Sequence, residues 1–249
     1  MYLKILYNIN EKDKAMTISS DKLLPNQDYF KKFYTDSENY DLRLFNMITE
    51  FNYAHTLKER KLVSDLGGKI TEFSTPEYMA AILVGFAKLI NAKKILEIGT
   101  CGGLTTMHFA DAVGKDGEVY TIEIGKEFAD YAQENFILNG YENRIKLIKG
   151  NALEVMEKLE KNSFDLIYID GDKSEYKKLF KISEKLLTNN GIIIVDDILF
   201  HGDVVNINPI TEKGKGCNEL INYLQTTPGY LRFIIPAGNG ILIIKPTHR

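Results

Sequence analysis

The chain has 249 residues and a net charge of −3, which gives no general electrostatic reason to expect a nucleic-acid partner. Its hydrophobic fraction of 44% and charged fraction of 26% are typical of a globular protein and exclude disordered and fibrous classes. Cys101 and Cys217 lack metal-ligand spacing, and no disulfide framework, signal peptide or membrane-spanning run is predicted. We therefore expect a cytoplasmic protein without a membrane partner.

The first third of the chain is predicted to be helical. Asp41–Tyr53 and Glu77–Ile90 carry apolar residues at helical spacing, and Pro76 after Thr75 is typical of a helix start. No linker rich in Gly, Pro or Ser is present. The sequence therefore predicts a single domain over residues 1–249, with a helical N-terminal extension over 1–75 and a core over 76–249.

From Ala92 onward, short apolar runs alternate with amphipathic stretches. The helical patterns include Glu127–Asn139 and Glu175–Leu187. The candidate strands are Lys93–Ile98, Val119–Glu123, Ile145–Lys149, Phe164–Ile169 and Ile192–Asp196. Strands that alternate with helices indicate right-handed crossovers and a parallel sheet.

The end of the chain departs from this alternation. Leu231–Pro236 and Ile241–Lys245 flank Ala237-Gly238-Asn239-Gly240, a strong hairpin signal because Gly and Asn tolerate positive φ. The predicted fold is therefore α/β, a Rossmann-like doubly wound sheet that is mostly parallel and ends in an antiparallel hairpin. This combination is typical of class I methyltransferases and not of dinucleotide dehydrogenases.

The first two strands end in features of a nucleotide-type site. The first ends in Glu97-Ile98-Gly99-Thr100-Cys101-Gly102-Gly103, where glycine permits a tight turn close to a ligand. Glu97 can meet the cationic amino group of methionine, whereas a pyrophosphate would repel it. Glu123 at the second strand tip suits ribose hydroxyls. Together they favour S-adenosylmethionine, although a plain structural turn and a solvated strand end remain open alternatives.

Acidic residues follow the fourth and fifth strands. Asp170-Gly171-Asp172-Lys173 and Asp196-Asp197 should converge, since neighbouring parallel strands end at the same edge of a sheet. Such an all-oxygen set suits Mg²⁺, Mn²⁺ or Ca²⁺. Lys173, its pKa depressed by that cation, would act as the base that removes a hydroxyl proton. The alternatives are solvated acids around a turn and a simple Lys173–Asp172 pair.

These segments together resemble the cation-dependent O-methyltransferases, the family of caffeoyl-CoA and catechol O-methyltransferases. The resemblance is carried by residues 88–99, 168–176 and 196–202 and extends from about Thr71 to the C-terminus. It implies a homodimer, metal ligands at Asp170, Asp196 and Asp197, catalytic roles for Asp170 and Lys173, and substrate contact at His201. The implied S-adenosylmethionine site is formed by Thr75, Glu97, Gly99, Gly103, Thr105, Glu123, Ala152 and Asp172.

Two residues depart from the family pattern: Asp197 replaces an asparagine, and Met79 stands where glycine is common. His201 can equally be an ordinary loop residue. The predicted loop His201–Gly216 is either a substrate lid or a connector. The aromatic stretch Tyr29–Tyr53 is either core, a wall of the acceptor pocket or a dimer contact.

The leading hypothesis is O-methylation of a small catechol-like or vicinal-diol acceptor. The second is methylation of 5-hydroxyuridine in tRNA, because some relatives with an ending similar to Gln225–Tyr230 act on that base. A dinucleotide-dependent oxidoreductase and a non-catalytic S-adenosylmethionine-binding regulator are weaker alternatives. Glu97 and the terminal hairpin disfavour the oxidoreductase, and the retained acids and Lys173 disfavour the regulator.

Overall fold

The structure is a computed structural model that describes residues 62–63, 75, 77–206 and 208–247. All of them lie in one compact unit, Thr49–Arg249. The predicted helix Asp41–Tyr53, the aromatic stretch Tyr29–Tyr53 and nearly all of the N-terminal extension fall outside the described residues. The single-domain organisation therefore stays a prediction.

Helices and strands alternate along the described chain. The helices are α1 Glu77–Leu89, α2 Leu104–Val113, α3 Lys126–Leu138, α4 Ala152–Met156, α5 Tyr176–Leu186 and α6 Glu212–Thr226. The strands are β1 Lys94–Ile98, β2 Glu118–Glu123, β3 Ile145–Lys149, β4 Phe164–Ile169, β5 Leu187–Val195, β6 Tyr230–Ile235 and β7 Ile241–Pro246. Short 3₁₀ segments occupy Lys173–Glu175 and Phe200–Val205. Among the described residues no helix is both long enough and apolar enough to span a bilayer.

Within the described range, seven strands form one sheet in the order β3-β2-β1-β4-β5-β7-β6. Strands β1 to β5 pair in parallel, and β7 pairs antiparallel with both β5 and β6. The predicted fold is confirmed. The strand order reverses between β1 and β4, and ligands bind doubly wound sheets at such a switch point.

Alternate residues of the central strands face two separate apolar clusters. Ile95, Leu166 and Ile194 pack with Leu83 of α1, Phe109 of α2 and Phe136 of α3. Leu96, Ile167 and Ile193 pack with Phe180 of α5 and Leu220 of α6. Burial on both faces explains why these strands read as continuous apolar runs, and it fixes the sheet edge on which a site can be built.

Two predicted boundaries are wrong by several residues, while others, such as the starts of β1, β2 and β6, are wrong by one. Strand β5 begins at Leu187 and not at Ile192, because Leu187 pairs with Phe164 across a register shift and the polar residues that follow hide the strand. The predicted loop His201–Gly216 ends at Thr211, because α6 begins at Glu212. The two glycines near the start of α6 are sites of close packing. A Cβ at Gly214 would lie 2.0 Å from Asp203 Oδ2, and one at Gly216 would lie 2.2 Å from the Lys173 carbonyl oxygen.

We expect Gly216→Ala to lower the free energy of unfolding by about 1–3 kcal/mol, because the added methyl overpacks the contact with Lys173. The matched control is Gly85→Ala in α1, where a Cβ meets no atom within 4 Å. Removing a helical glycine there should stabilise the protein by about 0.5–1 kcal/mol. Urea denaturation of both variants measures the difference, and equal stability of the two would contradict the packing argument.

Candidate active site

A cleft of about 960 Å³ opens at the carboxyl edge of the sheet, beside the switch point. The tips of all five parallel strands contribute to its wall: Gly99 after β1, Glu123 at the end of β2, Gly150 after β3, Asp170 after β4 and Asp196 after β5. This volume lies within the range of small-molecule sites. The cleft is therefore the candidate active site.

The glycine-rich turn after β1 brings backbone close to backbone. Gly99 has φ +97°, and a Cβ there would lie 2.4 Å from the carbonyl oxygen of Asp170. Gly103 caps α2 with φ 80°, and a Cβ there would lie 2.4 Å from the Phe136 ring. Gly99 lines the cleft. Gly103 supports the turn from behind and is not part of the described lining.

The Glu123 carboxylate holds this turn in place. Its Oε2 accepts hydrogen bonds from the backbone amides of Thr100 and Cys101, each at 3.0 Å, and its Oε1 accepts one from Gly125 at 2.8 Å. Glu123 also borders the cleft. Its predicted position at the β2 tip is therefore the one observed, although its carboxylate also organises the backbone around it.

Glu97 lies behind the turn, with only 1% of its surface exposed. Its Oε2 accepts hydrogen bonds from the hydroxyl groups of Thr106 and, at 2.7 Å, Thr121. Burial raises the pKa of Glu97 to about 8, and these two hydroxyl groups oppose the rise only in part. Glu97 is not among the described residues that line the cleft, so its contact with a ligand amine stays a prediction.

Some of the remaining predicted cofactor residues line the cleft and others do not. Thr75, Ala152 and Asp172 line the cleft, while Thr105 is buried in α2 and does not. Ala152 opens α4 directly after Asn151, whose side chain accepts a hydrogen bond from the Leu153 amide at 2.9 Å. The structure thus brings five of the eight predicted cofactor residues to the described wall of the cleft: Thr75, Gly99, Glu123, Ala152 and Asp172.

The predicted acidic cluster forms part of the cleft wall. Asp170, Asp196 and Asp197 all border it. Tyr168 donates its hydroxyl to Asp196 Oδ2 at 2.7 Å, and the Asp197 amide donates to Asp196 Oδ1 at 2.8 Å. Burial, followed by repulsion from Asp196, raises the pKa of Asp170 to about 7. Burial and the charge of Asp197 likewise raise the pKa of Asp196.

Lys173 supplies the positive charge within this cluster. Its Nζ lies 3.2 Å from Asp170 Oδ1 and 3.1 Å from Asp197 Oδ2. Burial lowers the pKa of Lys173, but the charges of Asp170 and Asp197 outweigh burial and raise it overall. The alternative Lys173–Asp172 pair is not observed, because Asp172 Oδ1 instead accepts from the amide and hydroxyl of Ser174 at 3.0 and 2.8 Å.

The chemistry of this donor set fits a hard divalent cation, since three crowded carboxylates have one ammonium group between them. The positions of these side chains support a metal site less than their chemistry does. Across the part of the chain that the structure describes, no three His, Cys, Asp or Glu side chains are grouped as metal ligands. A cation shared by Asp170 and Asp197 would require Lys173 Nζ to move aside. Asp197 itself has φ 51°, a conformation that Asp and Asn adopt more readily than other non-glycine residues. The backbone therefore tolerates the aspartate that replaces the family's asparagine.

The segment after β5 builds another part of the cleft wall. Phe200 and His201 have φ of 36° and 52°, and both border the cleft. Asp203 fixes the segment that follows. Its Oδ1 accepts from the Ile210 amide at 2.9 Å, and its Oδ2 accepts from the amide and hydroxyl of Thr211 at 2.9 and 2.7 Å. His201 therefore stands where a substrate-contacting residue could act, and its role stays a prediction.

Several cleft residues were not predicted from sequence: Cys101, Phe128, Asn151 and Asn239. Asn151 carried a usable signal, since Asn directly after a strand is a common helix cap. Phe128 shares its helical pattern with buried neighbours such as Ala129 and Tyr131, so the pattern alone does not distinguish it from a core residue. Met79, the second departure from the family pattern, also lines the cleft.

A doubly wound sheet with a terminal antiparallel hairpin and a cleft at its carboxyl edge defines a class I methyltransferase. Residues 53–247 match the family described as O-methyltransferase, and the chain therefore belongs to that family. The prediction of an S-adenosylmethionine-dependent O-methyltransferase is confirmed at the level of family and enzyme class.

Individual relatives agree with this assignment. A protein of Dictyostelium discoideum named "Probable caffeoyl-CoA O-methyltransferase 3" is 29% identical over 185 residues, covering 70% of this chain and 73% of that protein. The catechol O-methyltransferase of Mycobacterium tuberculosis is 32% identical over 119 residues, covering 48% and 54%. The crystal structure of the O-methyltransferase TomG from Streptomyces achromogenes superposes with a TM-score of 0.73 at 23% identity, covering 83% of this chain and 98% of TomG.

The buried Glu97 carboxyl predicts a pH-dependent stability. An unfolded glutamate ionises near pH ~4.3, so between there and about pH 8 the folded state binds more protons and the free energy of unfolding falls as pH rises. We expect Glu97→Gln to be more stable than the wild type by about 1–3 kcal/mol at pH 8, with little difference at pH 5. Urea denaturation at both pH values tests this, with the exposed Glu134→Gln as a control that shows no such difference. A Glu97→Gln protein with the wild-type pH slope would rule out the buried neutral carboxyl.

Proposed function

We propose that the chain transfers the methyl group of S-adenosylmethionine to a hydroxyl of a small catechol-like or vicinal-diol acceptor, with the help of a divalent cation. One observation carries the proposal: a single cleft joins the Gly99 turn and Glu123 to the Asp170–Lys173–Asp197 cluster. The first part suits a nucleoside with its methionine tail. The second part suits the activation of a hydroxyl.

In the donor half, Glu123 would accept hydrogen bonds from the ribose hydroxyls. Its oxygens are already oriented by backbone amides of the turn, so cofactor binding would require little reorganisation. Ile124, Phe128 and Ala152 offer apolar surface on the same wall, which suits an adenine base. This arrangement would direct the sulfonium towards the acidic cluster.

In the acceptor half, Asp170, Asp196 and Asp197 would hold the cation, which when bound polarises two adjacent acceptor oxygens and lowers the pKa of the reacting hydroxyl. Lys173 Nζ stands beside two of these carboxylates. The charge of these carboxylates keeps Lys173 protonated. With a cation on the same carboxylates the pKa of Lys173 would fall, so that the side chain would release its proton to solvent and the neutral amine could accept the hydroxyl proton. The acceptor oxygen then attacks the methyl carbon while the C–S bond breaks, and the cleft contributes by alignment.

A small acceptor is preferred to tRNA on electrostatic grounds. The described cleft wall includes two lysines, Lys173 and Lys213, and Lys173 is already paired with carboxylates. A tRNA would need many phosphate contacts around the site. A regulator without catalytic activity would not need Lys173 among buried acids. Homodimer assembly and a cytoplasmic location stay predictions.

Glu123→Gln should weaken binding of S-adenosylhomocysteine about tenfold or more, because it removes a charge-assisted acceptor for ribose hydroxyls. The matched control is Glu118→Gln, at the opposite end of the same strand, where the carboxylate pairs with Lys146. That variant should bind as the wild type does. Calorimetric titration measures both affinities, and wild-type affinity in Glu123→Gln would remove this residue from the cofactor site.

Methyl transfer to catechols should stop when the protein is treated with EDTA and should return with Mg²⁺ or Mn²⁺. Asp170→Asn should abolish turnover, and Lys173→Met should lower kcat far more than it changes cofactor affinity. The assay uses radiolabelled S-adenosylmethionine with a panel of diols and, separately, undermethylated tRNA across a salt series.

Two results would overturn the proposal. Full activity of EDTA-treated protein would exclude the cation mechanism. Salt-sensitive methylation of tRNA, with no turnover of any diol, would show that the acceptor is the nucleic acid. Lys177→Met, which removes an exposed lysine paired with Glu219 outside the cleft, is the control for Lys173→Met and should retain activity.

A further inference from the structure

Lys213 is a cleft residue that the proposed reaction does not use. It borders the cleft, and its side chain is exposed. None of the ion pairs recorded for the described residues includes it. Lys173, the other described lysine on the wall, is engaged by Asp170 and Asp197. Lys213 is therefore the cation on this wall whose charge is available to a ligand.

The position of Lys213 in its helix gives the charge no local benefit. It lies in the first turn of α6, which begins at Glu212, and a cation there faces the positive end of the helix dipole. The nearby Lys215 offsets the same unfavourable interaction with the helix dipole by pairing with Glu212, with 2.6 Å between Nζ and Oε1. Lys213 has no comparable partner, so helix stability does not account for a lysine at this position.

The backbone that carries Lys213 is held firmly beside the reacting groups. Thr211 caps α6 by accepting a hydrogen bond from the Gly214 amide at 2.9 Å, and Asp203 in turn accepts from Thr211. One turn further on, Gly216 packs against the Lys173 carbonyl oxygen. The start of α6 is thus fixed relative to Lys173, and Lys213 projects from a rigid support.

We propose that Lys213 determines acceptor preference by pairing with an anionic substituent, a carboxylate or a phosphate, on the part of the acceptor remote from the reacting hydroxyls. This inference rests on the proposed function, because it assigns the second end of the same acceptor. The acidic cluster receives the hydroxyl end and repels anions. Lys213 therefore orients the acceptor as well as attracting it, since only one end of a charged diol suits each side of the cleft.

The test measures binding separately from turnover. Calorimetry on the full chain loaded with S-adenosylhomocysteine, in buffer with Mg²⁺, compares each acid with a neutral partner. The probes are 3,4-dihydroxybenzoate and 3-(3,4-dihydroxyphenyl)propanoate against their primary amides, and 3,4-dihydroxybenzyl phosphate against the alcohol. The different lengths allow for the reach of the lysine, and the phosphate arm distinguishes the two anion types. The variants are Lys213→Met, Lys213→Glu and the control Lys215→Met.

We expect the wild type to bind at least one anionic diol about two- to fivefold more tightly than its neutral partner, as for an exposed ion pair. Lys213→Met should abolish this preference, Lys213→Glu should invert it, and Lys215→Met should retain it. Equal binding of acids and neutral partners by the wild type, or a preference that survives Lys213→Glu, would overturn the inference.

Turnover of the same probes separates this inference from the proposed function. A Lys213-dependent preference in binding without methylation of any diol would leave the inference standing and refute the proposed function. Methylation of the diols without any preference for the anionic ones would refute the inference and leave the proposed function standing. If no diol binds, both are refuted.

Discussion

The crowding of Asp170 and Asp197 against the one ammonium group of Lys173 is the constraint on which the rest of the site depends. Asp170 and Asp197 approach Lys173 at 3.2 and 3.1 Å, and burial of these groups makes their charges costly. The close approach is possible because glycines clear the space: Gly99 against the Asp170 carbonyl and Gly216 against the Lys173 carbonyl. The cluster is thus held by backbone packing and not by the mutual attraction of its side chains alone.

The carboxylates of this region meet the cost of burial in three different ways. Glu123 accepts hydrogen bonds from three backbone amides, and Glu97 has a pKa raised to about 8. Asp170 pairs with Lys173, but burial and the charge of Asp196 outweigh Lys173 and raise the pKa of Asp170 to about 7. Only the third solution leaves a deficit of positive charge at the cleft. That deficit is the physical reason why the proposed cation is assigned to the acidic cluster and not to another strand tip.

The sequence predicted those parts of the structure that follow from periodicity. Strand β4 has the predicted bounds, because a strand buried on both faces is a nearly continuous apolar run. The edge strand β3 also has them, although Ile145 is its only buried residue. The predicted starts of β5 and α6 are wrong. Polar residues follow Leu187 in the first half of β5, and two glycines lie in the first turns of α6. The depth of Glu97 could not be predicted either. A residue at the carboxyl end of a strand can face the cleft or lie behind the turn, and only the packing of Thr106 and Thr121 against its carboxyl group decides which.

The two halves of the cleft differ in how they are built, and this explains why the family determines the reaction but not the acceptor. One part of the wall consists of strand tips such as Glu123 and Asp170, whose positions follow from the sheet. The other part includes Phe200, His201 and Lys213, which come from segments between the sheet strands. Such segments can change without cost to the core. Their geometry here depends on Asp203, which ties the segment after β5 to the start of α6. The shape of this part of the wall is therefore set by contacts that strand and helix patterns do not encode.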